Sequence, residues 1–202
     1  MLFGVGLGPG DPKLITLKAI EVLKAVDEVI VPGRLAESLV RHIVKPRVVN
    51  FPMGKGREGR ESIIKLAKEL IDRCSRENIA FACLGDPMFY STFHHLVEEM
   101  ININPGIEIE VVPGIPSFTT VFSRIKVFVD NHLLITTLKD DDIGYVVVSK
   151  ATRPREICER LKKMGMKKFY LAERMFMDGE RVEKIDRPPE KADYFTIVVG
   201  IR

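Results

Sequence analysis

Apolar positions along the first half of the chain follow two alternating rhythms. Short apolar runs at Met1–Val5, Val29–Val31 and Ile79–Leu84 are separated by stretches whose apolar residues recur at helical spacing. This alternation predicts parallel strands joined by helices. Leu14, Leu17, Ile20 and Leu23 predict a helix over Leu14–Ala25. A helix over Leu35–Val44 must end before Pro46, because a residue preceding proline is biased away from helical geometry. Pro52, Gly54, Gly56 and Gly59 mark Phe51–Gly59 as a mobile loop. Helices over Ser62–Cys74 and Tyr90–Met100 flank the Ile79–Leu84 strand, and Ile107–Val112, alternating around Glu108 and Glu110, adds a further strand.

Pro113-Gly114-Ile115-Pro116 is the best domain boundary, which divides the chain into an α/β domain at 1–113 with a mostly parallel sheet and a second at 114–202 with a mixed sheet. A short helix is expected over Ser117–Ser123. Strands are expected at Leu133–Thr136, Tyr145–Ser149, Lys168–Ala172, Arg181–Lys184 and Tyr194–Gly200. A helix over Pro154–Met164 opens with proline in its first turn, with Thr152 nearby as a cap. Asp140-Asp141-Asp142 reads as a solvated turn.

Composition narrows the functional classes. The 202 residues are 46% hydrophobic and 29% charged, enough for a packed core and a polar surface. The 31 basic against 28 acidic residues give a formal +3, too mild and too evenly spread to imply nucleic acid. That balance still leaves room for a local basic groove. The apolar runs fall far short of the roughly 18–20 residues that span a bilayer. Met1–Val5 reads as a first strand rather than a signal peptide. Cys74, Cys83 and Cys158 are odd in number and never spaced C-x-x-C, so reduced thiols and a cytoplasmic location are expected.

Three segments carry candidate chemistry. Gly4-Val5-Gly6-Leu7-Gly8-Pro9-Gly10-Asp11-Pro12 follows a strand and precedes a helix, where a glycine-rich turn lets the backbone approach a ligand. It fails the dinucleotide spacing: G-x-G-x-x-G needs glycine at position 9 or 11, which hold Pro9 and Asp11, and no acid ends the second strand. The lysine and hydroxyl pair of a phosphate loop is also missing. Leu84-Gly85-Asp86-Pro87 ends a buried strand at the edge where ligands of open α/β sheets gather, and Asp86 can accept hydrogen bonds from a ribose or an ammonium group. Val112-Pro113-Gly114-Ile115-Pro116-Ser117-Phe118 forms a stiff loop past another strand.

Taken together, in this order and spacing, these motifs resemble the tetrapyrrole (corrin/porphyrin) methylase family over about the first 120 residues. Phe51-Pro52-Met53, Tyr90-Ser91-Thr92-Phe93, Ser117-Phe118 and Asp193-Tyr194-Phe195-Thr196 are most similar to the precorrin-2 and cobalt-precorrin-2 C-20 methyltransferases. The resemblance implies a two-domain α/β homodimer with a non-Rossmann cofactor cleft between the domains. It implies S-adenosyl-L-methionine as cofactor and methylation of C-20 of a tetrapyrrole, with or without cobalt, in cobalamin biosynthesis. A different ring position, diphthine synthesis, or a non-catalytic ligand-binding relative are the alternatives. Pro9, Gly85, Asp86, Phe89, Ser91 and Thr92 would border the cofactor from the first domain, and Pro116, Ser117, Ser149 and Met175 from the second. Relatives are usually longer between Arg124 and Tyr145.

Other candidates are weighed on their own residues. Lys55, Arg57 and Arg60 on the glycine-rich loop suit the substrate's carboxylates, which guanidinium groups bind in a bidentate way. His94 and His95 are adjacent on a helix, so their side chains should diverge by roughly 100°; His95 with Glu98 or Glu99 could pair on one face, but no protein metal site is expected. No Ser-His-Asp or Cys-His arrangement is evident, and no residue is named as a catalytic base. Neither membrane nor nucleic acid is expected as a partner.

Overall fold

The computed structural model describes residues 1–51, 56–130, 132–135 and 142–202, with the backbone alone at 56 and 57. It divides into two compact units, Met1–Leu133 and Leu134–Arg202.

The first unit is a five-stranded sheet in the order β3-β2-β4-β1-β5. Its strands are β1 (Leu2–Gly6), β2 (Glu28–Pro32), β3 (Arg47–Val49), β4 (Ile79–Cys83) and β5 (Ile109–Val112). All four pairings are parallel, with Leu2 opposite Ile79 on one side and Ile109 on the other. Side chains alternate along β4 as a strand requires. Ile79, Phe81 and Cys83 join one core with helices α3 (Gly56–Cys74) and α4 (Thr92–Ile103). Ala80 and Ala82 join the other with α1 (Leu17–Ala25) and α2 (Arg34–Val40). Burial on both faces explains why β4 is an unbroken apolar run: each of its five residues is buried. Dinucleotide folds run 3-2-1-4-5-6, whereas here β4 stands between β1 and β2.

Several local expectations are corrected. The turn before α1 is a separate 3-10 segment, Pro12–Leu14, and α1 starts only after Thr16, whose side chain accepts the Ala19 amide at 3.1 Å. The buried face of α1 is Ala19, Val22 and Leu23, so Leu14 and Leu17 are exposed. The expected loop over Phe51–Gly59 ends earlier, since α3 already includes Gly56–Gly59; residues 52–55 lie outside the described residues. Two glycines in its first turn weaken only the start of a helix whose stripe of Leu66, Ala67, Leu70 and Cys74 is buried. Strand β3 has no counterpart in the sequence reading, being three half-buried residues led by Arg47.

Strand β3 and the end of α3 share an ion-pair network. Glu28 meets Arg73 at 2.7 Å and Arg47 at 3.2 Å, and Glu69 meets Arg47 at 2.8 Å. Arg73 also pairs with Glu77, whose hydrogen bond is the leading cause holding the guanidinium above its usual range. The network ties α3 to the amino ends of the strands.

Helix α5 (Ser117–Ile125) belongs to the first unit, which runs past Pro113–Pro116 to Leu133. Phe118 at its start packs edge-on against Phe89 of the β4–α4 loop, with ring centroids 5.4 Å apart.

The second unit is a four-stranded sheet in the order β6-β9-β7-β8: β6 (Tyr145–Val148), β7 (Lys168–Glu173), β8 (Arg181–Lys184) and β9 (Thr196–Ile201). A mixed sheet is expected there from the sequence, but the described pairings are all antiparallel. Helix α6 (Pro154–Lys163) covers one face through Cys158 and Leu161. Residues 133–135 form no strand, and Thr136, Asp140 and Asp141 lie outside the described residues. Asp142 pairs with Arg202 at 2.8 Å. Among the described residues no helix is long and apolar enough to cross a membrane.

The core makes a direct prediction. Phe81 is fully buried between Phe51 and Phe93, at ring separations of 6.2 and 6.1 Å. Phe81→Ala should lower stability by about 3–5 kcal/mol, read as a fall in the urea midpoint with little change in slope.

Candidate functional site at the carboxyl ends of the central strands

Strands β4, β1 and β5 are neighbours and parallel, so the three glycine-bearing segments emerge side by side. Strands β1 and β4 are adjacent, yet the helices that follow them, α1 and α4, lie on opposite faces. Ligands of open α/β sheets collect beyond such carboxyl ends.

The loops are joined backbone to backbone. Gly8 and Gly85 exchange hydrogen bonds, the Gly85 amide to the Gly8 carbonyl at 2.8 Å and the reverse at 3.3 Å. A Cβ added at Gly114 would stand 2.1 Å from the Gly85 carbonyl oxygen and 2.7 Å from the Gly6 Cα. A Cβ at Gly6 would stand 2.5 Å from the Gly114 backbone. All of these obstacles are main chain, so neither position admits any side chain without moving a loop. Gly85 itself sits at φ +70°, where a side chain is strained. Gly6 and Gly114 are the packing positions that sequence reasoning does not single out; the glycines of G-x-G and V-P-G are the available signal.

Asp86 completes the joint. It is buried; one carboxylate oxygen accepts the Met88 amide at 2.8 Å and the other the Gly114 amide at 3.2 Å. These contacts make Asp86 a brace between the β4 and β5 loops, a role additional to the ligand-facing acceptor expected from the sequence. Ser91 is likewise engaged: its hydroxyl donates to the Pro87 carbonyl and accepts the His94 amide at 3.4 Å, capping α4 at the residue before Thr92. Tyr90, before that cap, is held at φ +51°, a strained conformation for a residue with a side chain. Strain of this order, about 1–3 kcal/mol, persists where the surroundings fix it.

Among the remaining predicted residues, Pro9 lies half-buried in the bend after β1, and Phe89 is half-exposed against Phe118. Pro116 is the residue preceding α5 and makes no side-chain cap; Ser117 is exposed in the first turn. Ser149 and Met175 belong to the second unit. Ser149 is exposed after β6, and Met175 follows β7 between Arg174 and Phe176, both at positive φ. The Asp193–Thr196 segment braces that turn. Asp193 meets Arg174 at 3.0 Å, and buried Thr196 donates to Glu173 at 3.1 Å. The Phe195 amide, with Arg174, holds the Asp193 carboxyl below its usual range. Lys55 lies outside the described residues, Arg57 is described by its backbone alone, and Arg60 meets Glu99 of α4 at 3.3 Å.

The expected divergence of His94 and His95 is corrected. Their rings lie 5.4 Å apart and both reach Glu98, because χ rotation carries adjacent helical side chains over the same turn.

The charge of the three loops limits their ligand. Residues 7–11, 84–91 and 113–118 contain two carboxylates, Asp11 and Asp86, and no Lys or Arg. This lining suits a neutral or cationic nucleoside and disfavours a pyrophosphate. The uncapped first turn of α5 offers N–H groups to a carboxylate.

Strand order and loops define an α/β domain with a non-dinucleotide ligand edge. The family model of the Tetrapyrrole (Corrin/Porphyrin) Methylases matches residues 1–186, and the chain belongs to that family. It is 38% identical over 128 residues to the probable cobalt-precorrin-2 C(20)-methyltransferase of Methanocaldococcus jannaschii, covering 57% of this chain and 53% of that protein. It is 36% identical over 124 residues to the uroporphyrinogen-III C-methyltransferase of Cyanidium caldarium, covering 60% and 48%. The chain thus spans about half the length of these curated relatives. The solved structure of the methyltransferase CobJ is similar in fold, with a TM-score of 0.54 at 15% identity, over 100% of this chain and 93% of that one.

Two outcomes follow from this geometry. Gly114→Ala should abolish ligand binding at the strand ends and cost at least about 1–3 kcal/mol of stability, since overpacking against main chain has no side chain to yield. Cys83, one residue before Leu84, has its thiol pushed up to about 12 by burial and then by the Asp86 charge. Iodoacetamide at pH 8 should leave Cys83 unmodified in the folded protein and alkylate it in urea, as mass spectrometry would show.

Proposed function

We propose that this chain binds S-adenosyl-L-methionine at the loops after β1, β4 and β5 and methylates C-20 of precorrin-2 or cobalt-precorrin-2 in cobalamin biosynthesis. The observation that carries the reading is the brace among Gly6, Gly85, Asp86 and Gly114. The loops it joins carry main-chain groups, mostly uncharged side chains and two carboxylates, without a basic residue, and the ligand is a cationic sulfonium. The likeness to the M. jannaschii protein supports the substrate, as do Phe51-Pro52-Met53 and Tyr90-Ser91-Thr92-Phe93.

The bound cofactor supplies an electrophilic methyl group, so the protein's part is placement. The strand-end loops would hold one reactant at a fixed angle, and orientation alone can contribute about 7–11 kcal/mol. Asp86 acts by fixing Gly114. The N–H groups at the start of α5 would receive the amino-acid carboxylate. Lys55, Arg57 and Arg60 would hold substrate carboxylates, and Arg60 would exchange Glu99 for one of them. A homodimer is part of this proposal, and sedimentation in the micromolar range checks it.

The decisive assay incubates the protein with labelled cofactor and precorrin-2, with and without cobalt. Label on C-20 is expected; methylation of uroporphyrinogen III instead would move the assignment to another ring position. S-adenosylhomocysteine should bind one per chain in the micromolar range, about −8 kcal/mol, and preference for a nicotinamide cofactor would sink the reading. Replacing Lys55, Arg57 and Arg60 together by alanine should raise the KM for the tetrapyrrole about tenfold, since a shielded charge-assisted contact contributes roughly 1.5–3 kcal/mol. Affinity for S-adenosylhomocysteine should not change.

A further inference from the structure

One cluster outside the strand-end loops carries a set of metal-binding atoms: His94, His95 and Glu98 on the first turns of α4. The His94 Nε2 lies 3.3 Å from one Glu98 carboxylate oxygen, and the His95 Nδ1 lies 3.4 Å from the other. The three ligand atoms all lie within 4.8 Å of one another. Two ligands held about 2.0–2.1 Å from a tetrahedral ion stand roughly 3.3–3.4 Å apart. Each imidazole therefore stands at the separation of a coordinating pair from its own Glu98 oxygen.

We propose that His94, His95 and Glu98 form a binding site for a borderline divalent transition ion such as Zn2+, Ni2+ or Co2+. Two imidazoles and a carboxylate are the donor types such ions select, whereas Mg2+ and Ca2+ prefer oxygen alone. Helix spacing assembles the set: Glu98 stands four residues from His94 and three from His95, so both imidazoles share a turn with it. Three protein ligands leave coordination positions open to water.

The surroundings favour this occupant. Arg60, the nearby cation of α3, is paired with Glu99 at 3.3 Å, so Glu98 is not its partner in that pair. All three thiols of the chain, Cys74, Cys83 and Cys158, are buried, which removes softer ligands from competition. The two remaining histidines, His42 and His132, lie elsewhere in the sequence. An ion on this cluster would pin the first turn of α4, immediately after strained Tyr90 and the Ser91 cap. The site stands independently of the methyltransferase reading.

The test uses the untagged full chain, stripped with a chelator and titrated with Zn2+ by calorimetry and with Co2+ by visible absorption. One ion per chain at micromolar affinity is expected, with the bands of four- or five-coordinate Co2+ and a rise in Tm on adding Zn2+. His94→Ala, His95→Ala and Glu98→Gln should each weaken binding at least tenfold, while the His42→Ala/His132→Ala pair should not. The three side chains are 61%, 64% and 56% exposed, so these variants should fold, and the circular dichroism of the ion-free proteins checks it. Absence of binding below millimolar Zn2+, or equal binding by the variant lacking all three ligands, overturns the proposal.

Discussion

The candidate site depends on a contact between main chains. Gly6, Gly85 and Gly114 approach so closely that any Cβ at Gly6 or Gly114 would overlap backbone from another strand's loop. Hydrogen bonds between Gly8 and Gly85, and from the Gly114 amide to Asp86, then lock three segments that are far apart in sequence. Because the sheet places β4, β1 and β5 side by side, one rigid ledge results where three separate loops would otherwise move independently. Main chain held this way loses little further entropy when a ligand arrives, which is the physical content of preorganisation.

The two ends of the same sheet are built from different forces. At the carboxyl ends, glycine packing joins three loops that contain no Lys or Arg. At the amino ends, Glu28, Glu69, Arg47 and Arg73 interlock α3 with β2 and β3. A cavity at that end is lined by Lys24, Asp27, Glu28, Lys45 and Arg47 together with apolar residues such as Leu23 and Val29. The helices on the two faces connect these ends mechanically: α4 begins at the Ser91 cap beside the ledge, and its neighbour α3 ends in the ion-pair network.

Much of this was legible in the sequence where a local pattern carried it. Strand β4 was readable because burial on both faces demands an unbroken apolar run, and the glycine segments because each follows such a strand. Strand β3 was not, since three half-buried residues led by Arg47 have no period to detect. The start of α3 was hidden by Gly56 and Gly59, whose loop signal is outweighed by packing further along the helix. Asp86 is visible in its motif but its bond to Gly114 is not: Gly114 lies 28 residues away, and only the strand order brings its amide to the carboxylate. The nearness of His94 and His95 depended on side-chain torsions, which spacing alone does not specify.

The strained Tyr90 has a consequence for how such a protein can diversify. It is a non-glycine residue at positive φ, directly between the rigid ledge and the cap of α4. Before it stand Met88 and Phe89, two exposed apolar side chains whose amides are bonded to Asp86. Gly6 and Gly114 admit no side chain, so a change of ligand must work through outward residues beside the ledge. Novelty would then accumulate at Met88, Phe89 and Tyr90, while the ledge beneath them remains a fixed platform on which different recognition surfaces can be tried.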